Sequence, residues 1–213
     1  MTARRRTAEK LILTAERLYG ERGVGAVSLR QIAQAAGQRN PAVVQYHFGD
    51  RDGLLRAIVE HRVGPANAQR MAMLDELERA GRARDLRGLV EAAVFPLLDS
   101  LPADAHYLRF VAQLEAASSL TRVLGATSDE YGASARRIAE RIDHALDGLP
   151  EPIRRARTSI AFQALLHGLA DPPEALAFDS FVDDLVGATV AFLRAPLAAG
   201  AVARPDAVVP TVR

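Results

Sequence analysis

The sequence predicts an all-α protein: an N-terminal three-helix unit containing a helix-turn-helix, followed by a C-terminal body made of helices. Two observations carry this. Apolar residues recur at helical spacing in stretch after stretch, and no alternating strand pattern or internal repeat interrupts them. The segment Ser28 to Phe48 also packs a capped helix, a glycine turn and a second short helix into little space. At 213 residues the chain can bury a sizeable core as one or two domains.

In chain order, Arg4, Arg5 and Arg6 read as a flexible basic arm, either a solubilising tail or a segment that enters the minor groove or lies along phosphates. The first helix spans about Thr7 to Glu21, with Leu11, Ile12, Ala15, Leu18 and Tyr19 inward and Gly23 and Gly25 ending it. Ser28 is placed to cap the second helix, which runs to Ala36 with Leu29, Ile32 and Ala33 inward. Gly37 stands where a C-terminal residue with positive φ is needed. Asn40-Pro41 then reads as an N-cap and first helical residue, opening a third helix over Pro41 to His47. Asp50 caps a fourth helix, which Gly64-Pro65 should kink or break, because proline lacks an amide and clashes with the preceding turn. A hydrophobic stripe resumes over Asn67 to Ala80.

The body continues with helical stretches at Leu86 to Leu101, bent by Pro96, and Ala103 to Ser118. A looser stretch, Leu120 to Ser128, precedes helices at Asp129 to Leu146, Glu151 to Gly168 and Glu174 to Leu193. The expected division is a helix-turn-helix domain at 1–62, a helical body at 63–195 and a loose tail at 196–213.

Composition removes several classes of function. The chain has no cysteine, hence no disulfide and no thiolate nucleophile or metal ligand. It lacks a glycine-rich phosphate loop, HExxH and GxSxG, and its five histidines form no ligand-like i, i+4 pair. Neither an enzyme nor a metal or other cofactor is expected. Without an apolar leader or a long apolar run, no membrane partner is expected and the cytoplasm is the expected compartment. The net charge of +1 conceals an asymmetry: residues 1–62 hold 11 Lys/Arg against 6 Asp/Glu, and the remainder 16 against 20. Positive potential therefore gathers around the helix-turn-helix, where phosphates would be met.

A helix in the major groove reads base edges. Gln45 can pair with adenine, and Ala42 and Val43 can meet a thymine methyl, unless Val43 packs inward. Tyr46 and His47 can reach phosphates or base edges, unless Tyr46 lies against the first helix. Arg30 can reach a guanine or a phosphate, and Arg39 a phosphate. Arg51, in a first turn where the helix dipole prefers anions, makes sense beside a phosphate. With Pro41 at the helix start, these residues form the candidate DNA-contact set.

The stretch AGQRNPAVVQYHFGDRDGLL resembles the DNA-binding signature of the TetR family of one-component transcriptional regulators, and the likeness runs from about Ala8 to Ile58. It departs from the family pattern in a turn, Gln38-Arg39-Asn40, one residue longer, and in carrying Gln45 where a tyrosine is common. The resemblance implies a backbone contact by Arg51, a dimer built from the last two helices, a near-palindromic operator in double-stranded DNA and a small-molecule effector held among the middle helices. Tyr107, Phe110, Gln113 and Phe162 are the candidate pocket residues, with plain core packing as the alternative. The apolar girth of the last helix, with Phe178, Phe181, Val182, Leu185, Val186, Val190, Phe192 and Leu193, independently calls for burial on most sides. The implied function is a repressor released by its ligand; the alternatives are an activator, a ligand-independent regulator or a helical protein-interaction module.

Overall fold

The computed structural model describes residues 3–101, 106–117, 120–126 and 129–197. They form α1 (Ala3–Arg22), α2 (Leu29–Ala35), α3 (Val43–Phe48), α4 (Arg51–Arg79), α5 (Leu86–Ser100), α6 (Tyr107–Ala116), α7 (Leu120–Gly125), α8 (Asp129–Ala145), α9 (Glu151–Ala170) and α10 (Phe178–Arg194). A single 3-10 turn, Val24–Ala26, links α1 to α2, and no strand occurs among the described residues. Most of the tail expected at 196–213, from residue 198 on, both ends of the helix expected over Ala103 to Ser118 and the end of the stretch expected over Leu120 to Ser128 lie outside the described residues.

The first three helices follow from local chemistry. Leu11, Ala15, Leu18 and Tyr19 form the buried stripe of α1. Ser28 and Gln31 make a reciprocal capping box: the Gln31 amide donates to the Ser28 hydroxyl (3.3 Å) and the Ser28 amide to Gln31 Oε1 (2.8 Å). Arg4, Arg5 and Arg6 are not a flexible arm. They lie in the first turns of α1, where the Thr7 hydroxyl donates back to the carbonyl of Ala3 (3.1 Å). Arginine is a good helix former, so a basic run adjoining an amphipathic helix extends it.

The break expected at Gly64-Pro65 is also absent: α4 runs unbroken through Pro65 for 29 residues. Pro65 is exposed, so water can serve the carbonyl that its missing amide would have bonded. Packing holds both flanks. Leu54, Leu55, Ile58, Val59 and Val63 are buried on one side of the proline, and Ala66, Leu74 and Leu77 on the other. A boundary at 62/63 thus falls inside one continuous helix.

Two apolar clusters organise the rest. One joins α1 to α4 with Leu97 of α5, Tyr107, Phe110, Val111 and Leu114 of α6 and Val123 of α7. The other lies beneath α4, α5, α8, α9 and α10. Hence α6 is part of the core on which the helix-turn-helix rests. An ion pair reinforces this: Glu16, 2% exposed, accepts from Arg62 Nε (2.6 Å) and Nη2 (2.9 Å) and from the amide of His106 (3.2 Å). Elsewhere, Arg137 of α8 bonds Asp75 (2.7 Å) and Glu78 (2.9 Å), and Arg141 bonds the Leu74 carbonyl (3.0 Å), so α8 lies along α4. Pro96 remains within α5, buried.

Candidate nucleic-acid interface

The turn between α2 and α3 sets the presentation of α3. Gly37 adopts φ 72°, which a β-carbon would disfavour, and this lets the Gln38 amide reach the Ala33 carbonyl and the Gly37 amide the Gln34 carbonyl, both at 2.9 Å. The longer turn then closes on Asn40, whose Oδ1 accepts from the Ala42 amide (3.0 Å) and whose carbonyl accepts from Val43 (3.2 Å). Asn40 thereby folds Pro41 and Ala42 into a turn, and α3 begins at Val43 rather than at Pro41. At the other end, a β-carbon added at Gly53 would overlap the carbonyl oxygen of Phe48. Only glycine allows α4 to start so close beneath α3, and Asp50 caps it there by accepting from the Gly53 amide (2.7 Å).

This frame buries Val44 completely and packs Phe48 partly against the core. Ala42, Gln45 and Tyr46 are exposed, Tyr46 at 67%, and so are Arg30, Arg39 and Pro41. Val43 is half-buried and packs against the core, so only part of it remains for a base methyl. Arg4 from α1 lies over the Tyr46 ring, 5.1 Å from its centroid, and His47 meets the same ring edge-on at 5.2 Å. Burial, and then the Arg4 charge, push the His47 imidazole below its ordinary pKa, so the neutral ring predominates at neutral pH. Lys10, also from α1, brings its ammonium beside the glycine turn, 3.5 Å from where a Gly37 β-carbon would stand. The structure therefore gathers Arg4, Tyr46 and His47 at the C-terminal part of α3 and sets Lys10 at the turn before it, whereas Arg30 stands exposed in the first turn of α2.

Arg51 is re-read. Its Nη1 donates to the carbonyl of Val24 (3.2 Å) and its Nη2 to that of Val27 (3.0 Å), tying the start of α4 to the 3-10 turn. The helix start tolerates this cation because it serves backbone acceptors inside the chain. Lys10 is absent from the sequence-based contact set, and Arg4 enters it only as part of a flexible arm, not as a helical residue beside Tyr46. The signal for Lys10 was helical register, which sets it on the exposed flank of α1, about a quarter turn from Leu11 and Leu18, and the position of Arg4 follows only once the helix is extended to Ala3.

The four candidate pocket residues do not converge. Tyr107 and Phe110 are buried in the core with Tyr19, with ring centroids about 6 Å apart (6.1 and 6.2 Å). Gln113 is exposed beside Gly23. Phe162 packs against the other cluster. Residues 107, 110, 111 and 114 form the inward stripe of one helix, which is a packing pattern. A surface cleft of about 400 Å³ lies elsewhere, at the end of the body remote from α3, around Leu86, Leu146, Leu149 and Leu193.

Comparison with known proteins is consistent with this geometry. The family described as "bacterial regulatory proteins, tetR family" matches residues 11–58, which span α1 to the first turns of α4. An HTH-type transcriptional repressor of Mycobacterium tuberculosis and an HTH-type transcriptional regulator of Mycobacterium bovis are each 34% identical over 109 residues, 51% of this chain and 56% of the relative. The chain thus spans about half the length of the curated relatives it matches. Among solved structures, AibR in complex with isovaleryl coenzyme A and operator DNA aligns with a TM-score of 0.50 at 16% identity, over 85% of this chain and 97% of that one. The TetR family regulator PfmR from Thermus thermophilus aligns with a TM-score of 0.49 at 18% identity, over 86% and 97%. The AibR likeness supports the fold.

Proposed function

We propose that this chain, a member of the tetR family of bacterial regulatory proteins, binds operator DNA as a homodimer and represses transcription until a small molecule releases it. The observation that carries the reading is the presentation of α3. One side of this short helix is locked into the core by Val44, and Ala42, Gln45 and Tyr46 are turned outward among Arg4, Lys10 and Arg39. Such a helix fits the major groove, with cations placed for phosphates on its flanks. In this reading Gln45 and Ala42 read bases, Val43 offers its remaining surface to a methyl, and Tyr46, His47, Arg30 and Arg39 position the head. Pro41 shapes the turn.

One head offers few contacts, so two heads on a near-palindromic site are proposed. α9 and α10 supply the pairing surface, with Ile160, Phe178 and Phe192 exposed at 51%, 42% and 41%. The repressor sense rests on the Mycobacterium tuberculosis relative, and the effector on AibR, whose structure is a complex with isovaleryl coenzyme A and operator DNA. No helix among the described residues is long and apolar enough to cross a membrane. A regulator works beside the chromosome, so the proposed compartment is the cytoplasm.

The test is selection of bound fragments from genomic DNA, followed by titration of the enriched site at several salt concentrations. The expected results are a two-fold symmetric motif and an affinity that falls steeply with salt, by roughly 0.9 log units per log unit of salt for each phosphate contacted. Absence of an enriched motif, or a flat salt response, overturns DNA recognition by α3.

A further inference from the structure

We infer that Arg70 anchors the carboxylate of a small molecule whose remaining part is apolar, bound inside the helical body between α4, α6 and α8. The inference rests on the effector reading above and names the chemistry of that effector.

Arg70 sits on α4, 7% exposed. A guanidinium has five N–H donors and stays charged in proteins. This one gives Nη2 to the carbonyl of Ala93 (2.8 Å), while its Nε has no partner, and no carboxylate among the described residues pairs with it. The same helix shows the alternative two turns earlier, where partly buried Arg62 is met by both oxygens of the buried Glu16. An isolated buried cation is unfavourable unless something anionic completes it.

Other polar groups share that interior. Ser134 of α8 is fully buried and its hydroxyl also lacks a partner. Arg141 bonds Leu74 and Glu78, and Arg137 bonds Asp75 and Glu78. Continued one turn down both helices, that register sets Ser134 level with Arg70. Buried Tyr107 of α6 lies close enough that the Arg70 charge acts on its phenol, against the upward push of burial. The surroundings are apolar: Met71, Leu74 and Ala93 belong to one cluster, and Tyr107 and Leu97 to the other. A single carboxylate leaves the pair with Arg70 neutral in this setting. A doubly charged phosphate would leave excess negative charge where nothing else balances it. The site also lies where the two clusters meet, so an occupant touches both the core that carries α3 and the core beneath α9 and α10.

The experiment uses the full chain with hexanoate, octanoate and phenylacetate, each beside its primary amide, measured by titration calorimetry and thermal melting. At least one carboxylate should bind the wild type about tenfold or more tighter than its amide, the scale of a charge-assisted hydrogen bond. In Arg70→Met that preference should vanish while the ligand-free melting temperature stays level or rises, since a lone buried charge has gone. If no carboxylate is preferred over its amide in the wild type, including the case in which neither binds, the proposal is overturned whether or not the variant folds. It is equally overturned if Arg70→Met keeps the preference. Operator release on the same samples separates the two readings. Carboxylate binding without release supports the Arg70 site and refutes the effector function. Release by amides as readily as by carboxylates keeps the effector function and removes Arg70 as its anchor.

Discussion

Both terminal nitrogens of the Arg51 guanidinium already hold backbone carbonyls, so its removal is a loss of structure before it is a loss of DNA contact. Arg51→Ala is expected to lower stability by about 2 kcal/mol, the scale of charged hydrogen bonds to acceptors left half-buried. The slope of operator affinity against salt should stay unchanged; denaturant melts and titrations on the same sample check both. Gln45 is the converse case, its exposed side chain turned away from the core. Gln45→Ala should leave stability unaltered, weaken operator binding by about 1–3 kcal/mol per half-site and relax preference at one base pair. For His47, burial and the Arg4 charge disfavour the cation, so its folded pKa lies below 6.5. The unfolded chain then binds more protons between the two values, and stability rises with pH through that window. NMR titration should show the depressed value, and Arg4→Ala should raise it part of the way, because burial, the larger cause, remains.

At the scale of elements, the junction of α3 and α4 is the tightest constraint on the head. A methyl at Gly53 has nowhere to go except into the Phe48 carbonyl, so Gly53→Ala must push α3 and α4 apart. A loss of about 1–3 kcal/mol is expected from overpacking, together with a loss of operator affinity larger than that of a surface variant. Retained affinity in a gel-shift titration would show that the presentation of α3 does not depend on this contact. Pro65 makes the opposite prediction. It is exposed, and α4 continues past it without an amide at that position. Pro65→Ala restores a donor to the helix and should stabilise the protein by roughly 1–3 kcal/mol in a thermal or denaturant melt.

At the scale of the whole molecule, what remains exposed after the chain has packed is the material for pairing. Leu185 lies against Gly168 and is half-buried within the chain. A charge there disturbs the protomer itself and says little about assembly. Ile160 and Phe192 are exposed large apolar residues on α9 and α10, so Phe192→Asp and Ile160→Asp are the informative variants. Each is expected to give folded monomers, because an unpaired carboxylate is poorly tolerated in a dry interface. Each should also lose most operator affinity, since a single head retains only one half-site. Light scattering and operator titration decide the matter: dimers of normal affinity in both variants would remove α9 and α10 from the interface.

What the sequence determined by itself was whatever acts over a few residues. The Ser28 cap, the left-handed Gly37, the inward stripe of α1 and the burial of Val44 all depend on hydrogen bonds and side-chain spacing within one or two turns. The helix-turn-helix was therefore legible except for the start of α3, which the Asn40 turn moves from Pro41 to Val43. Gln45 was legible as an outward residue, whereas Tyr46 stood between a DNA contact and a place against the first helix until the fold exposed it. Tertiary structure decided where distant groups meet. Nothing near Arg51 in the chain announces that Val24 and Val27 wait for its guanidinium 27 and 24 residues away. Nor does the spacing of Tyr107 and Phe110 tell a pocket lining from a core stripe, because both need the same helical period. The continuity of α4 through Pro65 and the lone charge of Arg70 belong to the same class. Each is set by what packs against the helix, a sum of burial and missing partners that exists only once the chain has folded.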